Sequence, residues 1–196
     1  MNIAVYPGSF NPVHTGHAML ASWCAQLCPG IDEVWLLVSP QNPLKRDLTM
    51  APEADRLAMA RLVADGCRGV RASDFEFALP RPSYTYRTLC ELRRRWPQHS
   101  FRLLTGSDNW LIFDRWRDSQ AIISEFGLLV YPRPGYPADT SALPDGVTWL
   151  ADAPQIEIAS TFIRRAIADG LNMNYFLPAG IYKYILDNKL YTDGNY

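Results

Sequence analysis

The apolar run Ile3-Ala4-Val5-Tyr6 empties into Gly8-Ser9-Phe10-Asn11-Pro12-Val13-His14-Thr15-Gly16-His17, and helical spacing follows. A strand, a glycine-punctuated loop and a helix in that order point to an α/β fold with a loop at the carboxyl end of its first strand, where open sheets bind ligands. Gly8 lets backbone amides approach an anion closely, and Pro12 ends any regular structure. His14 and His17, three apart at the helix start, face the same way. Oriented amides plus imidazoles suit a polyphosphate, whereas the same pair outside this context would read as surface groups.

Further strand-like runs at Val34–Val38, Phe101–Leu104 and Gly127–Tyr131 alternate with helical patterns, so the expected fold is α/β: a Rossmann-like, doubly wound, mainly parallel sheet with helices on both faces. In the first helix Leu20, Ala21, Cys24, Leu27 and Cys28 share a face until Pro29-Gly30 stops it. A second helix is expected from Pro52-Glu53 to about Gly66. Leu79-Pro80-Arg81-Pro82-Ser83 then delivers Ser83 to Tyr86 to a helix whose Leu89, Leu92 and Trp96 lie together. The proline-rich stretch from Pro132 to Gly146 reads as a surface loop. A small C-terminal helical segment runs from Ser160 to about Asp169 and from Pro178 to Leu186, with Tyr191 to Tyr196 expected to fray. At 196 residues and 48% hydrophobic content, one domain spanning 1–196 is expected.

Lys plus Arg number 19 against 20 Asp plus Glu, so no overall basic field recruits nucleic acid and any phosphate grip must be local. No apolar run approaches the roughly 20 residues that span a bilayer, which points to a cytoplasmic protein without a membrane partner. Cys24, Cys28, Cys67 and Cys90 lack paired C-x-x-C spacing and read as reduced core thiols. Arg93-Arg94-Arg95 reads as a solvated face, and Trp23, Trp35 and Trp149 as core. Oligomeric state leaves no mark in the pattern.

Four further places carry candidate chemistry. Lys45, just past the second strand, presents a flexible ammonium that could hold phosphate or simply be solvated. Gly106, after the 101–104 strand, permits close nucleotide approach, and Asp108 accepts from ribose hydroxyls or caps a helix. In Ile158-Ala159-Ser160-Thr161-Phe162-Ile163-Arg164, Ser160 can cap a helix whose free amides favour anions, and Arg164 offers a fork matched to phosphate oxygens. Trp116 can stack on a cationic ring, with Arg117 beside it to receive a carboxylate.

His14-Thr15-Gly16-His17 resembles the His-x-Gly-His signature of a nucleotidyltransferase superfamily, and Ile158 to Arg164 resembles its second signature, usually Ile-Ser-Ser-Thr-x-Ile-Arg. From Gly8 to Tyr191 the chain is similar to the bacterial nicotinate-nucleotide adenylyltransferases. That resemblance implies adenylyl transfer from ATP to nicotinate mononucleotide, giving deamido-NAD and pyrophosphate in NAD biosynthesis, with magnesium carried on ATP. It implies catalytic roles for His14, His17 and Arg164, and ATP binding by Gly8, Ser9, Phe10, Lys45, Gly106, Asp108, Ser160 and Thr161. Thr85, Trp116 and Arg117 are implied to bind the mononucleotide, and no protein metal ligands are implied.

Departures from that pattern are Ser9 and Asn11 where glycine-threonine and aspartate are commoner, Pro43-Leu44-Lys45 for Pro-His-Lys, and Ala159 for a serine. Nicotinamide mononucleotide and phosphopantetheine adenylyltransferases share the first loop and remain alternative readings. A nucleotide-sensing module without turnover is a third, although it would need neither both histidines nor Arg164. A dinucleotide dehydrogenase would need a Gly-x-Gly-x-x-Gly fingerprint, which the chain lacks.

Overall fold

The computed structural model describes residues 1–40 and 50–192. Strands β1 (Asn2–Gly8), β2 (Glu33–Val38), β3 (Val70–Ser73), β4 (Ser100–Gly106), β5 (Leu128–Tyr131) and β6 (Val147–Trp149) form a six-stranded sheet in the order β3-β2-β1-β4-β5-β6. Every neighbouring pair is parallel, so the sheet is wholly rather than mainly parallel. The helices are α1 (Thr15–Leu27), α2 (Glu53–Asp65), α3 (Thr85–Arg95), α4 (Ser107–Trp110), α5 (Ser119–Glu125), α6 (Ser160–Ala168) and α7 (Ile181–Asp187). The chain winds outward from β1 through β2 to β3, then returns to the other side of β1 with β4. That reversal opens a crevice at the carboxyl ends of β1 and β4.

Alternation along each strand divides the apolar residues between two cores. Ala4, Tyr6, Val34, Leu36, Leu104 and Leu129 face one layer, with residues of α1, α2, α6 and α7. Ile3, Val5, Trp35, Leu37, Leu103 and Leu128 face the other, with residues of α3 and α5. Burial on both faces explains why the central strands read as unbroken apolar runs. The edge strands β3 and β6 were not anticipated, because Val70-Arg71-Ala72-Ser73 and Val147-Thr148-Trp149 are short and interrupted by polar residues on exposed positions. Trp35 is buried, whereas Trp23 and Trp149 only pack partly against the cores. All four cysteines are free, but only Cys24 and Cys28 are buried; Cys67 and Cys90, expected in the core, are partly exposed. Among the described residues no helix is long and apolar enough to cross a membrane.

The expected fraying at the chain's end is corrected at its first residue. Tyr191 does not fray: it is 1% exposed, and its hydroxyl donates to Asn11 Oδ1 at 2.8 Å. The residues beyond Thr192 lie outside the described ones.

Arg56, on α2, is 1% exposed, and backbone carbonyls hold its guanidinium. Nε donates to Ala51 O (2.9 Å), Nη1 to Ser9 O and Ser39 O (both 2.7 Å), and Nη2 to Pro40 O (3.2 Å). The histidine loop and the end of β2 are thereby tied to one side chain. Replacing Arg56 by Met keeps volume and removes every donor. The variant is expected to lose about 3 kcal/mol of unfolding free energy, read as a lower urea midpoint. An unchanged midpoint would show that the carbonyls find water instead.

Candidate functional site

The chain leaves β1 at Gly8, whose carbonyl accepts from Ser39 N–H at 2.9 Å. Phe10 then folds back into the core with φ 45° and only 2% exposure. A Cβ on Gly8 would lie 2.9 Å from Phe10 Cζ, so glycine is needed here first for the loop's own phenyl ring. Asn11 is buried beneath. Its Oδ1 accepts from Ala51 N–H (3.1 Å) and Tyr191 O–H, and its carbonyl accepts from Arg164 Nη1 at 2.8 Å.

His14 immediately precedes α1, and its backbone N–H donates to His17 Nδ1 at 3.3 Å. That bond leaves the proton of a neutral His17 ring on Nε2. The two imidazoles stack with centroids 3.7 Å apart and planes 28° from parallel. Burial, followed by the positive charge of Arg133, pushes the His14 pKa down to about 4, so this imidazole is neutral at pH 7. Gly16 makes the stack possible: a Cβ there would meet Ile156 Cγ2 at 2.9 Å and His14 Nδ1 at 3.1 Å. Both histidines line a cleft of about 60 Å³ with Tyr6, Tyr131, Arg133 and Ile156. The Tyr6 and Tyr131 hydroxyls lie 3.0 Å apart across it, kept protonated by burial.

At the end of β4, Gly106 is crowded from the cleft side. Its Cβ would stand 2.5 Å from Asp108 Oδ1 and 2.6 Å from Arg133 Cδ. Asp108 does not cap α4, whose N-cap is Gly106; its Oδ2 pairs with Arg133 Nη1 at 2.7 Å. Sequence reasoning assigned Arg133 only to a loop. Its signal was position, just beyond β5 at the same carboxyl end of the sheet as the histidine loop.

The segments expected to bind the mononucleotide also meet. Thr85 opens α3 and is half-buried, while the Arg117 guanidinium lies 4.8 Å from the Tyr84 ring centroid. Trp116 packs on Phe113 with centroids 5.2 Å apart. Beneath the start of α3, the buried Glu76 accepts from Thr88 Oγ1 (2.9 Å) and Ser83 Oγ (3.4 Å), and burial raises its carboxyl pKa. Neither Glu76 nor Arg56 was singled out from the sequence.

On α6 the expected helix cap is corrected: Ala159 is the N-cap, and Ser160 Oγ instead donates to Pro12 O at 3.0 Å. Thr161 is exposed, with Oγ1 3.5 Å from Arg164 Nη2. Arg164 is 7% exposed, and its strongest bond is to the Asn11 carbonyl rather than into open solvent. Lys45 lies outside the described residues.

Four buried side-chain polar atoms among the described residues have no hydrogen-bond partner: His14 Nδ1, Asp108 Oδ1, Trp116 Nε1 and Arg164 Nε. Such orphans cost about 1–3 kcal/mol each and are rare in folded proteins. All four fall on residues singled out from the sequence alone, a concentration expected where a polar ligand completes the bonding.

A parallel sheet with stacked histidines at its switch point defines the nucleotidyltransferase class, and the family model described as Cytidylyltransferase-like matches residues 5–166. A Bacteroides fragilis protein named "Probable nicotinate-nucleotide adenylyltransferase" is 48% identical over 182 residues, 93% of this chain and 90% of the relative. A Bacteroides thetaiotaomicron protein of the same name is 45% identical over 94% of this chain and 91% of its own. In fold, the chain is similar to Plasmodium falciparum nicotinic acid mononucleotide adenylyltransferase complexed with NaAD: TM-score 0.79, 19% identity, 97% of each chain covered. Within the cytidylyltransferase-like proteins, the chain belongs to the nicotinate-nucleotide adenylyltransferase family.

The neutral His14 has a consequence for stability. Its pKa is about 4 when folded against about 6.5 in the unfolded chain, so between those values the unfolded state binds more protons and stability falls as pH falls. Through this group the wild type is expected to lose about 3 kcal/mol of unfolding free energy between pH 7 and pH 4. His14→Gln should flatten that part of the curve in denaturant titrations. Parallel curves for the two proteins would contradict a buried neutral imidazole.

Proposed function

We propose that this chain transfers the adenylyl group of ATP to nicotinate mononucleotide in the cytoplasm, giving deamido-NAD and pyrophosphate. The observation that carries the reading is the stacked histidine pair at the switch-point crevice, with His14 buried, in a chain 48% identical to a relative of that name. A phosphate oxygen of the mononucleotide attacks the α-phosphorus of ATP. A new P–O bond forms, the bond to the α,β-bridging oxygen breaks, and its electron pair leaves with pyrophosphate. The attacker is already an anion, so the protein's task is alignment and charge stabilisation rather than proton abstraction.

In this reading His14 and His17 donate to phosphate oxygens flanking the reacting phosphorus. A neutral His14 donates a hydrogen bond without the Coulombic hold that an imidazolium would keep on departing pyrophosphate. Backbone groups of Gly8, Ser9 and Phe10 shape the loop around the phosphates. Gly106 and the unpartnered Asp108 Oδ1 receive the adenosine ribose. Ser160 and Thr161 face the triphosphate from the start of α6, and Arg164 holds the loop through Asn11 while its unpartnered Nε remains for phosphate. Thr85, Trp116 and Arg117 take the mononucleotide, with indole stacking on the pyridinium worth about 0.5–2 kcal/mol. Magnesium enters as part of the substrate, MgATP, whose charge it partly neutralises.

Pyrophosphate release with MgATP tests the reading when nicotinate mononucleotide, nicotinamide mononucleotide and phosphopantetheine are compared as acceptors. Preference for the nicotinate compound is expected, and His17→Ala should lower kcat by about 100-fold or more. Greater turnover of either other acceptor would reassign the substrate. No turnover with any of them would favour a nucleotide-binding module.

A further inference from the structure

Among the described residues lining the histidine cleft, Arg133 is the only arginine or lysine. Its backbone N–H donates to Ser107 Oγ at 2.9 Å, which fixes the root of the side chain beside β4. From there its stem lies across Gly106, with Cδ 2.6 Å from where a Cβ would stand, and Nη1 reaches Asp108 Oδ2 at 2.7 Å. Gly106 and Asp108 form the surface assigned above to adenosine, and the Arg133 cation lies across it. The cover is removable, because the Arg133 and Asp108 side chains are 39% and 24% exposed and ion pairs this open add little to stability. Arg133 also lines the cleft that holds His14, His17, Tyr6 and Tyr131, on the side assigned above to the phosphates.

Resting on the adenylyl-transfer reading, we propose that Arg133 is a substrate-binding latch, paired with Asp108 before ATP arrives and with ATP phosphates afterwards. Ribose hydroxyls take both Asp108 oxygens, the unpartnered Oδ1 and the Oδ2 that held the guanidinium, and the released fork, with its rigid planar set of N–H donors, turns toward the phosphates beside His14 and His17. One side chain thus opposes the nucleoside part of ATP and attracts its anionic part. The protein gains discrimination, since adenosine alone must break the latch without supplying a new partner for the guanidinium.

Calorimetric titration of adenosine and of a non-hydrolysable ATP analogue into wild type, Arg133→Ala and Arg133→Lys tests this. The two ligands should move in opposite directions. Arg133→Ala is expected to bind adenosine about threefold more tightly, the latch being gone. The same variant should bind the ATP analogue about tenfold or more weakly, and Arg133→Lys should recover part of that loss. Parallel weakening of both ligands, or no change in either, would overturn the latch and leave Arg133 a structural residue. Pyrophosphate release by the same wild-type preparation separates the two claims: turnover with parallel shifts rejects the latch alone, and opposite shifts without turnover reject the adenylyl-transfer reading alone.

Discussion

The histidine loop has no regular secondary structure, yet it sits at the centre of the molecule, so its buried carbonyls must be satisfied by side chains from elsewhere. Two arginines meet that requirement. Arg56 reaches up from α2 to Ser9 and the end of β2, and Arg164 reaches from α6 to Asn11. Burial lowers the pKa of both guanidiniums, a cost tolerated because carbonyls accept from each, four from Arg56 and one from Arg164, and a guanidinium does not lose its proton near neutrality. Ser160 on Pro12 and Tyr191 on Asn11 finish the clamp. With the loop held from below, its upper face is left to the two imidazoles.

Charge is distributed over the site with a clear division. The most deeply placed nitrogen base, His14, is neutral, while the movable positive charge stands at the rim on Arg133. A buried imidazolium would have to be desolvated permanently, whereas a rim guanidinium is desolvated only when substrate covers it. The tyrosine pair between them contributes hydroxyl dipoles but no charge. The crevice is thus prepared to receive anions without holding a concentrated positive charge at its base.

The central fold was legible because β1, β2, β4 and β5 are covered on both faces and must be apolar throughout. β3 and β6 lie at the edges, where solvent tolerates arginine and threonine, and that tolerance erases the signal. The histidines, Gly106, Asp108 and the α6 segment could be found because local spacing couples them to a strand end or a helix start. Arg56, Glu76 and Arg133 could not. Each acts through partners 5 to 47 positions away, as Arg56 does with Ala51 and Ser9 and Glu76 with Ser83, and nothing local distinguishes them from surface charges. Ser160 shows the converse error: a residue type suited to capping was drawn away by a carbonyl 148 positions distant.

The bond between Tyr191 and Asn11 spans 180 positions of sequence. Such a contact orders events during synthesis. When residues 2–38 have emerged from the ribosome, β1, α1 and β2 can already associate, but the loop between them still lacks Arg164, Ser160 and Tyr191. The histidine stack therefore acquires its full support only after nearly the whole chain has been made. A nascent or prematurely terminated chain would carry the signature residues without the platform that aligns them.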